Sequence, residues 1–373
     1  MVTSLNNSPA SSQSSSLSKE LVSRARASFL GLVIGDVLGA PVQFGSSSTA
    51  IREHIDRLKD YHDNQVLRKG VYTDDTSMAL CLADSLIEKK GYDSYDIMKK
   101  FSDWESFGYR SYFDYGYDVG IQVDNAISDF DNNPIVLSSK EREWNAGNGS
   151  IMRLAPVIIA AAGTQSLADS VRLAWLSGRE THYSEVAEMS TEVFANFLFR
   201  ALHQHQSQKS SSQIASSHSK SKESTAVSPE ELIKSTFDDL YFTSDTLKEA
   251  WLDNSWQVMP RINSDGECLR DLGGYIIDAI TIALWGLVHS KTFEDGMLKV
   301  LSLGGDTDTN CAIYGQLAGA FYGLENIPTR WTKDLAISSE AIFSLTDELL
   351  NLPGCPILRT RFEEDTDYFK RPD

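Results

Sequence analysis

Residues 21–41 read LVSRARASFLGLVIGDVLGAP, and two patterns run through them at once. Leu21, Val22, Ala25, Phe29, Leu32 and Val33 recur at three- and four-residue steps, which places them on one face of an α-helix. Gly31, Gly35 and Gly39 form a second stripe on that helix. Each glycine costs a helix roughly 1 kcal/mol relative to alanine, so the stripe predicts that another backbone, or a ligand, comes very close along it. Pro41 ends the helix because it cannot supply the next backbone N–H.

Further helical periodicity covers Thr76–Glu88, Leu167–Leu176, Ser184–Leu202, Leu272–Val288 and Thr309–Tyr322, while alternating strand patterns are scarce. The expected fold class is all-α, with one compact domain across residues 18–373 and no internal repeat. Residues 1–17, rich in Ser and Asn, are expected to be a disordered tail, because they lack the apolar groups that offset ordering entropy. The Gln/Ser/His/Lys stretch at about 203–228 is expected to be a low-complexity insertion in that domain. His203, His205 and His218 fall within it and are read as solvated, since no acidic or cysteine co-ligand accompanies them.

The formal net charge of −18 excludes a binder of free nucleic acid, whose affinity rests on clustered Lys and Arg. No uninterrupted apolar run of membrane-spanning length is present, so no membrane association is expected. Cys81, Cys268, Cys311 and Cys355 are too scattered for a disulfide framework, which points to a reducing compartment. The Ser-rich start has no apolar signal region, and Arg24 and Arg26 are the only hint of an organelle-targeting segment. The expected location is the cytoplasm, with the nucleus as its alternative; the oligomeric state is not legible.

Two clusters carry the chemistry. Tyr72-Thr73-Asp74-Asp75-Thr76 leads directly into an apolar helix, and Gly304-Gly305-Asp306-Thr307-Asp308-Thr309 leads into another. Either one alone reads as helix capping aided by the helix dipole. Two of them meeting in a cleft would bring Asp74, Asp75, Asp306 and Asp308 together, and those carboxylates would repel unless cations stood between them. Carboxylate and hydroxyl oxygens are hard ligands, which favours Mg²⁺ or Mn²⁺ over zinc. A third segment, Asn145-Ala146-Gly147-Asn148-Gly149-Ser150-Ile151-Met152-Arg153, joins small residues to amide donors ahead of an apolar run. Its backbone N–H groups suit a phosphate, a plain Asn-Gly turn being the alternative, and the absence of a P-loop lysine excludes nucleoside triphosphate hydrolysis by that route.

In this order, Gly35-Asp36, Thr73-Asp74-Asp75-Thr76, Asn148-Gly149-Ser150 with Met152-Arg153, Thr181-His182 and Gly304 to Thr309 resemble the ADP-ribosylglycohydrolase family. The likeness extends through Gly319-Ala320, Tyr322-Gly323 and Ile327-Pro328 to Trp331. It implies an all-helical hydrolase with two Mg²⁺ ions, or Mn²⁺ in their place, that removes ADP-ribose from a modified acceptor or a related conjugate. Carried over by position, the metal ligands would be Thr73, Asp74, Asp75, Asp306, Asp308 and Thr309. Gly147, Asn148, Gly149 and Ser150 would line the pyrophosphate and distal ribose, with Met152 and His182 beside them. Asp118-Val119-Gly120 matches an Asp-x-Gly segment of the family, making Asp118 an acid/base candidate and Gly120 a ligand neighbour. Tyr275 stands where similar proteins place an aromatic side chain near the ligand, a hydrophobic core position being its alternative. Asp36 is read as structural.

One departure bears on catalysis. Many similar proteins have Glu where this chain has Gln43, and an amide cannot act as a carboxylate base. The base is therefore expected to be Asp75, with Asp118 second. Two other readings stay open: an ADP-ribose reader that has lost turnover, and a metal hydrolase of an ADP-ribose phosphoester or another N-ribosyl compound. The acceptor, whether arginine, serine, a small molecule or a nucleic-acid end, is not legible.

Overall fold

A computed structural model describes residues 17–44, 46, 48–59, 70–134, 146–163, 166–212, 227–240 and 274–361. Residues 1–16, Asn145 and His218 lie outside them. The first helix, α1 (Lys19–Gly39), starts at Ser18, whose hydroxyl accepts the Leu21 N–H at 3.1 Å, and runs into a 3-10 turn, Ala40–Val42. There follow α2 (Ser48–Lys59), α3 (Asp74–Lys89), β1 (Tyr92–Asp93), α4 (Ser94–Phe107), α5 (Ile121–Asn132) and the short α6 (Gly149–Met152). Next come α7 (Ala155–Ala162), α8 (Leu167–Arg179), α9 (Glu185–Ser212) and α10 (Pro229–Asp239). The chain continues with α11 (Ile276–Val288), α12 (Phe293–Leu301), α13 (Thr307–Tyr322), α14 (Ser339–Leu350) and β2 (Ile357–Arg359). The fold is helical as expected, and the two short strands pair in parallel, Tyr92 opposite Ile357.

The glycine stripe of α1 does what its spacing predicts. A Cβ built at Gly31 would overlap the Gly315 carbonyl, one at Gly35 the Cys311 carbonyl, and one at Gly39 the backbone of Thr307 and Asp308. In return, a Cβ at Gly319 would overlap the Ala27 carbonyl. The pairs run in opposite directions along the chain, so α1 and α13 lie antiparallel with their backbones in contact over four turns. Fifteen of the residues of α1 are buried. By length and composition Lys19–Val42 could cross a bilayer, but 83% of its apolar 18-residue window is buried inside the protein.

Two helices begin before their apolar periodicity does: α3 starts at Asp74 and α13 at Thr307. Polar residues that face the site fill their first turns, and apolar spacing does not see them. The opposite holds for α11, which starts at Ile276 rather than Leu272, because Tyr275 is extended and Gly274 has φ +92°. The helix through Leu202 also continues to Ser212, which corrects the expectation of a loop from His203. His203 is packed, stacked on Phe199 with ring centroids 4.1 Å apart and its nitrogens beside the carbonyls of Phe199 and Ala162. At the other end, Leu17 packs against the core.

Gly35→Ala is expected to destabilise the protein by at least about 2–3 kcal/mol in urea denaturation, since the new methyl meets main chain rather than a flexible side chain. Gly120→Ala is the comparison: nothing lies within 4 Å of a Cβ there and φ is −70°, so its effect should stay within about 0.5 kcal/mol. Equal effects would mean that the helix contact is not the constraint.

Candidate active site

The α1–α13 contact carries Asp36 to the start of α3. Fully buried, Asp36 accepts the N–H groups of Thr73 and Thr76 and both of their hydroxyls, at 2.6 to 3.1 Å. It thus caps α3 from another helix, and the Thr73 side chain makes no capping bond of its own. Burial pushes its carboxyl up to about 6, against the pull of those four donors. The structural role read for Asp36 in the sequence is what it performs.

Asp74 and Asp75 open α3, while Asp306 and Asp308 open α13, and the two acidic turns face one another. The Thr309 hydroxyl of one turn donates to Asp75 Oδ2 of the other at 3.4 Å, and Thr73 Oγ1 stands 3.2 Å from the same oxygen. Asn148 Nδ2 donates to Asp306 Oδ2 at 2.7 Å, which ties the third segment to the same place. Asp75 Oδ1 and both Asp308 oxygens are sealed from solvent and accept no hydrogen bond. Burial raises the pKa of all four carboxyls, and their mutual repulsion adds to it, Asp308 acting on Asp74, and Asp75 on Asp308. The Asn148 amide restrains the rise at Asp306.

Among the described residues, no three His, Cys, Asp or Glu side chains stand together as a ready-formed metal site. The donor set that Thr73, Asp74, Asp75, Asp306, Asp308 and Thr309 offer is all oxygen, partly hydroxyl, and includes three sealed acceptors. That is the chemistry a hard divalent cation satisfies.

Above the acids lies a cavity of about 560 Å³. Asp74, Asp306 and Thr309 form its floor, Gln43 one edge, and Asp118 and Gly120 a wall. Gly147, Asn148, Gly149, Met152, His182 and Tyr275 form the remainder of the predicted lining. Thr73, Asp75 and Asp308 lie buried behind that floor. Ser150 is also behind the wall: its hydroxyl meets Thr191 Oγ1 at 3.0 Å, and Thr191 in turn donates to the Ala187 carbonyl. Among the described residues, no Lys or Arg lines the cavity.

Backbone pairing shapes the wall that bears the glycines. Gly147 and Tyr275 form an antiparallel bridge, the Asn148 N–H donates to the Gly274 carbonyl at 2.9 Å, and the Ile276 N–H to the Ala146 carbonyl at 3.0 Å. Tyr275 is 44% exposed at the mouth, not in the core. A Cβ at Gly149 would stand 2.6 Å from the His182 ring, so glycine is what lets the imidazole lie against α6. Burial, and secondarily the charge of Arg153, push the His182 pKa down to about 3, so the ring is neutral at physiological pH.

Asp118, which also lines the cavity, has φ +67°, a conformation that aspartate tolerates better than most residues. Its charge is felt at Asp74, Asp306 and Asp308. The loop leading to it is clamped to α3: Arg110 forks onto Asp84 at 2.6 and 2.7 Å, the Tyr109 hydroxyl joins at 2.7 Å, and the Tyr72 hydroxyl donates to the Arg110 carbonyl. Sequence reasoning missed this clamp, as well as Phe44, Ile121, Gln122 and Gly274 in the lining. Only Gly274, beside the predicted Tyr275, carried a signal.

A family model described as ADP-ribosylglycohydrolase matches residues 17–356. The chain belongs to the ADP-ribosylglycohydrolase family. It is therefore a hydrolase, and the relatives are consistent in this. An ADP-ribosylarginine hydrolase of Pseudomonas putida is 28% identical over 333 residues, 89% of this chain and 79% of that protein. The ADP-ribosyl-dinitrogen reductase glycohydrolase of Rhodospirillum rubrum is 26% identical over 89% of this chain and 97% of its own. The ADP-ribosylhydrolase ARH3 of Homo sapiens is 24% identical over 83% and 88%. A solved structure titled as an ADP-ribosylglycohydrolase-related protein complex superposes with a TM-score of 0.64 at 29% identity, covering 90% of this chain and 99% of that one.

A pH dependence follows from the acid cluster of this glycohydrolase. Each carboxyl binds its proton more tightly in the folded chain than in the unfolded one, whose value is near ~4, so the folded state gains relative stability as pH falls through the raised values. In chelator-containing buffer, urea denaturation should show the protein gaining stability as pH is lowered from neutral toward the unfolded-state carboxyl range. Asp308→Asn should flatten that slope; an unchanged slope would show that the carboxyls keep ordinary pKa values.

Proposed function

We propose that this enzyme hydrolyses the bond between ADP-ribose and a modified acceptor, with two divalent cations, Mg²⁺ or Mn²⁺, held between α3 and α13. The observation that carries this is the meeting of the two acidic turns beneath the cavity, with three sealed carboxylate oxygens that accept no hydrogen bond. An anionic ligand entering past Asp74, Asp118 and Asp306 needs positive charge, and among the described lining residues no Lys or Arg supplies it. Thr73, Asp74, Asp75, Asp306, Asp308 and Thr309 would hold the ions. When bound, such ions orient ribose hydroxyls, lower the pKa of a water and offset charge at the reacting centre.

The remaining work falls to the chain. Gly147 and Gly149 lie along one wall, where the lack of side chains admits a pyrophosphate close to the backbone. Tyr275 at the mouth offers a ring face, and Met152 and the neutral His182 line the wall below it. The proton-accepting role is assigned to Asp118: it lines the cavity, whereas Asp75 is sealed behind the floor. Gln43 sits at the edge next to Phe44, whose N–H donates to the Gly305 carbonyl at 2.9 Å. From that position its amide can orient a water but cannot take the proton.

For the acceptor, an arginine linkage is the first to test. The mouth combines Asp118 with the exposed Phe44 and Tyr275, and a carboxylate beside aromatic rings is a favourable setting for a guanidinium. The relative from Pseudomonas putida is named for that linkage.

Release of ADP-ribose from arginine- and serine-linked conjugates, with and without Mg²⁺, tests the reading. Turnover is expected only with the ion, and Asp308→Ala should abolish both turnover and the thermal stabilisation that Mg²⁺ confers. Metal-independent release, or no metal by elemental analysis, would overturn the dimetal assignment. Asp118→Asn should lower turnover about 10²- to 10⁴-fold with little change in binding of free ADP-ribose. Gln43→Glu is expected to raise turnover on a conjugate that the wild type cleaves slowly. If Gln43→Glu leaves the rate unchanged on every conjugate, position 43 takes no part in proton transfer.

A further inference from the structure

Arg153 directly follows the segment that lines the cavity, yet it is completely buried, and among the described residues no carboxylate pairs with it. Its guanidinium lies over the Phe101 ring at 4.8 Å, one end meets Met78 Sδ at 3.3 Å, and its Nε has no hydrogen-bond partner. Burying an unpaired cation costs several kcal/mol, a cost that an apolar side chain of similar size would avoid. Its one strong polar contact is a bond from Nη2 to the Thr181 hydroxyl at 2.5 Å. Thr181 Oγ1 then stands 2.8 Å from His182 Nδ1.

The chemistry of the three groups sets the direction of this chain. A guanidinium only donates, so Thr181 Oγ1 accepts from Arg153. The hydroxyl proton then needs an acceptor, and Nδ1 of the neutral His182 ring is the one in reach. The opposite arrangement, with Nδ1–H pointing at Thr181, would leave a buried hydroxyl proton without an acceptor, at about 1–3 kcal/mol. If Nδ1 accepts, the imidazole proton is on Nε2. That nitrogen is on the side of the glycine wall: it lies 3.0 Å from a Cβ built at Gly149 and 3.1 Å from one built at Gly147, and both glycines line the cavity.

We propose that Arg153 and Thr181 are positioning residues that hold His182 in its Nε2–H tautomer, so that the ring presents an uncharged N–H donor to an anionic oxygen of the ligand. The benefit of this donor rests on the cavity's being the ADP-ribose site; the tautomer itself does not. Because the ring stays neutral, the donor persists across physiological pH and adds no charge beside the acid cluster.

The full chain labelled with ¹⁵N-histidine tests this, with the His182 signals assigned by their loss in His182→Gln. Long-range proton–nitrogen spectra should show His182 Nδ1 bare and Nε2 protonated, unchanged from about pH 5 to about pH 8. Thr181→Val should bring in the Nδ1–H form and weaken ADP-ribose binding, read by calorimetry, about 10-fold or more, and Thr181→Ser should restore both. A wild-type ring protonated at Nδ1 would overturn the proposal, as would a Thr181→Val chain that keeps the Nε2–H form alone and full affinity. Should the wild type bind no ADP-ribose while its spectrum shows Nε2–H, the reading of the cavity fails and the positioning of His182 stands.

Discussion

Backbone contact between α1 and α13 is the constraint from which the site follows. Where Gly31, Gly35 and Gly39 pass Gly315, Cys311 and Thr307, there is no room for a Cβ, so the two helices are held in one register. Shifting that register by a residue would bring side chains into the contact. The register delivers two acids at once: Asp36 to the start of α3, and Asp308 to a place beside Asp75. Packing and chemistry here are one arrangement, since what aligns the helices also aligns the carboxylates.

The acidic floor is costly to fold. Four carboxyls with raised pKa values, three of whose oxygens accept no hydrogen bond, weaken the protein when ionised and unneutralised. Asp36 shows what the same side chain does when it is satisfied: equally buried, it has four donors and serves as the cap that keeps α3 in place. Identical residue types close to one another in the fold therefore divide into a structural acid with its donors and acids whose oxygens lack them. The division is made by the supply of hydrogen-bond donors.

The end of α8 links the site to distant parts of the chain. In three successive residues, Glu180 accepts from Tyr92 and from Arg361 near the end of the described chain, Thr181 accepts from Arg153, and His182 faces the cavity. The loop bearing Asp118 is anchored in a comparable way, by Arg110 on Asp84 of α3. Both walls of the cavity thus refer back to α3, directly or through a guanidinium, and this holds the ligand groups in fixed relation to the acids on the floor.

Much of this was legible in the sequence. The helical class follows from apolar spacing, the close approach along α1 from the cost of its glycines, and the chemical character of the floor from two Asp/Thr turns. The resemblance located Asp118, His182 and Tyr275. What the sequence left undecided depends on contacts far apart in the chain. Asp75 and Asp308 look like Asp74 and Asp306 in one dimension, and only packing puts one pair behind the floor and the other in it. Ser150 has the look of a ligand residue until Thr191 claims its hydroxyl. Arg153 could have been any buried or surface arginine before Thr181 and His182 were brought to it. Residue type and local spacing determine what a side chain can do; which partner it meets is decided by the tertiary structure, because in a low-dielectric interior the nearest donor or charge sets both its proton and its direction.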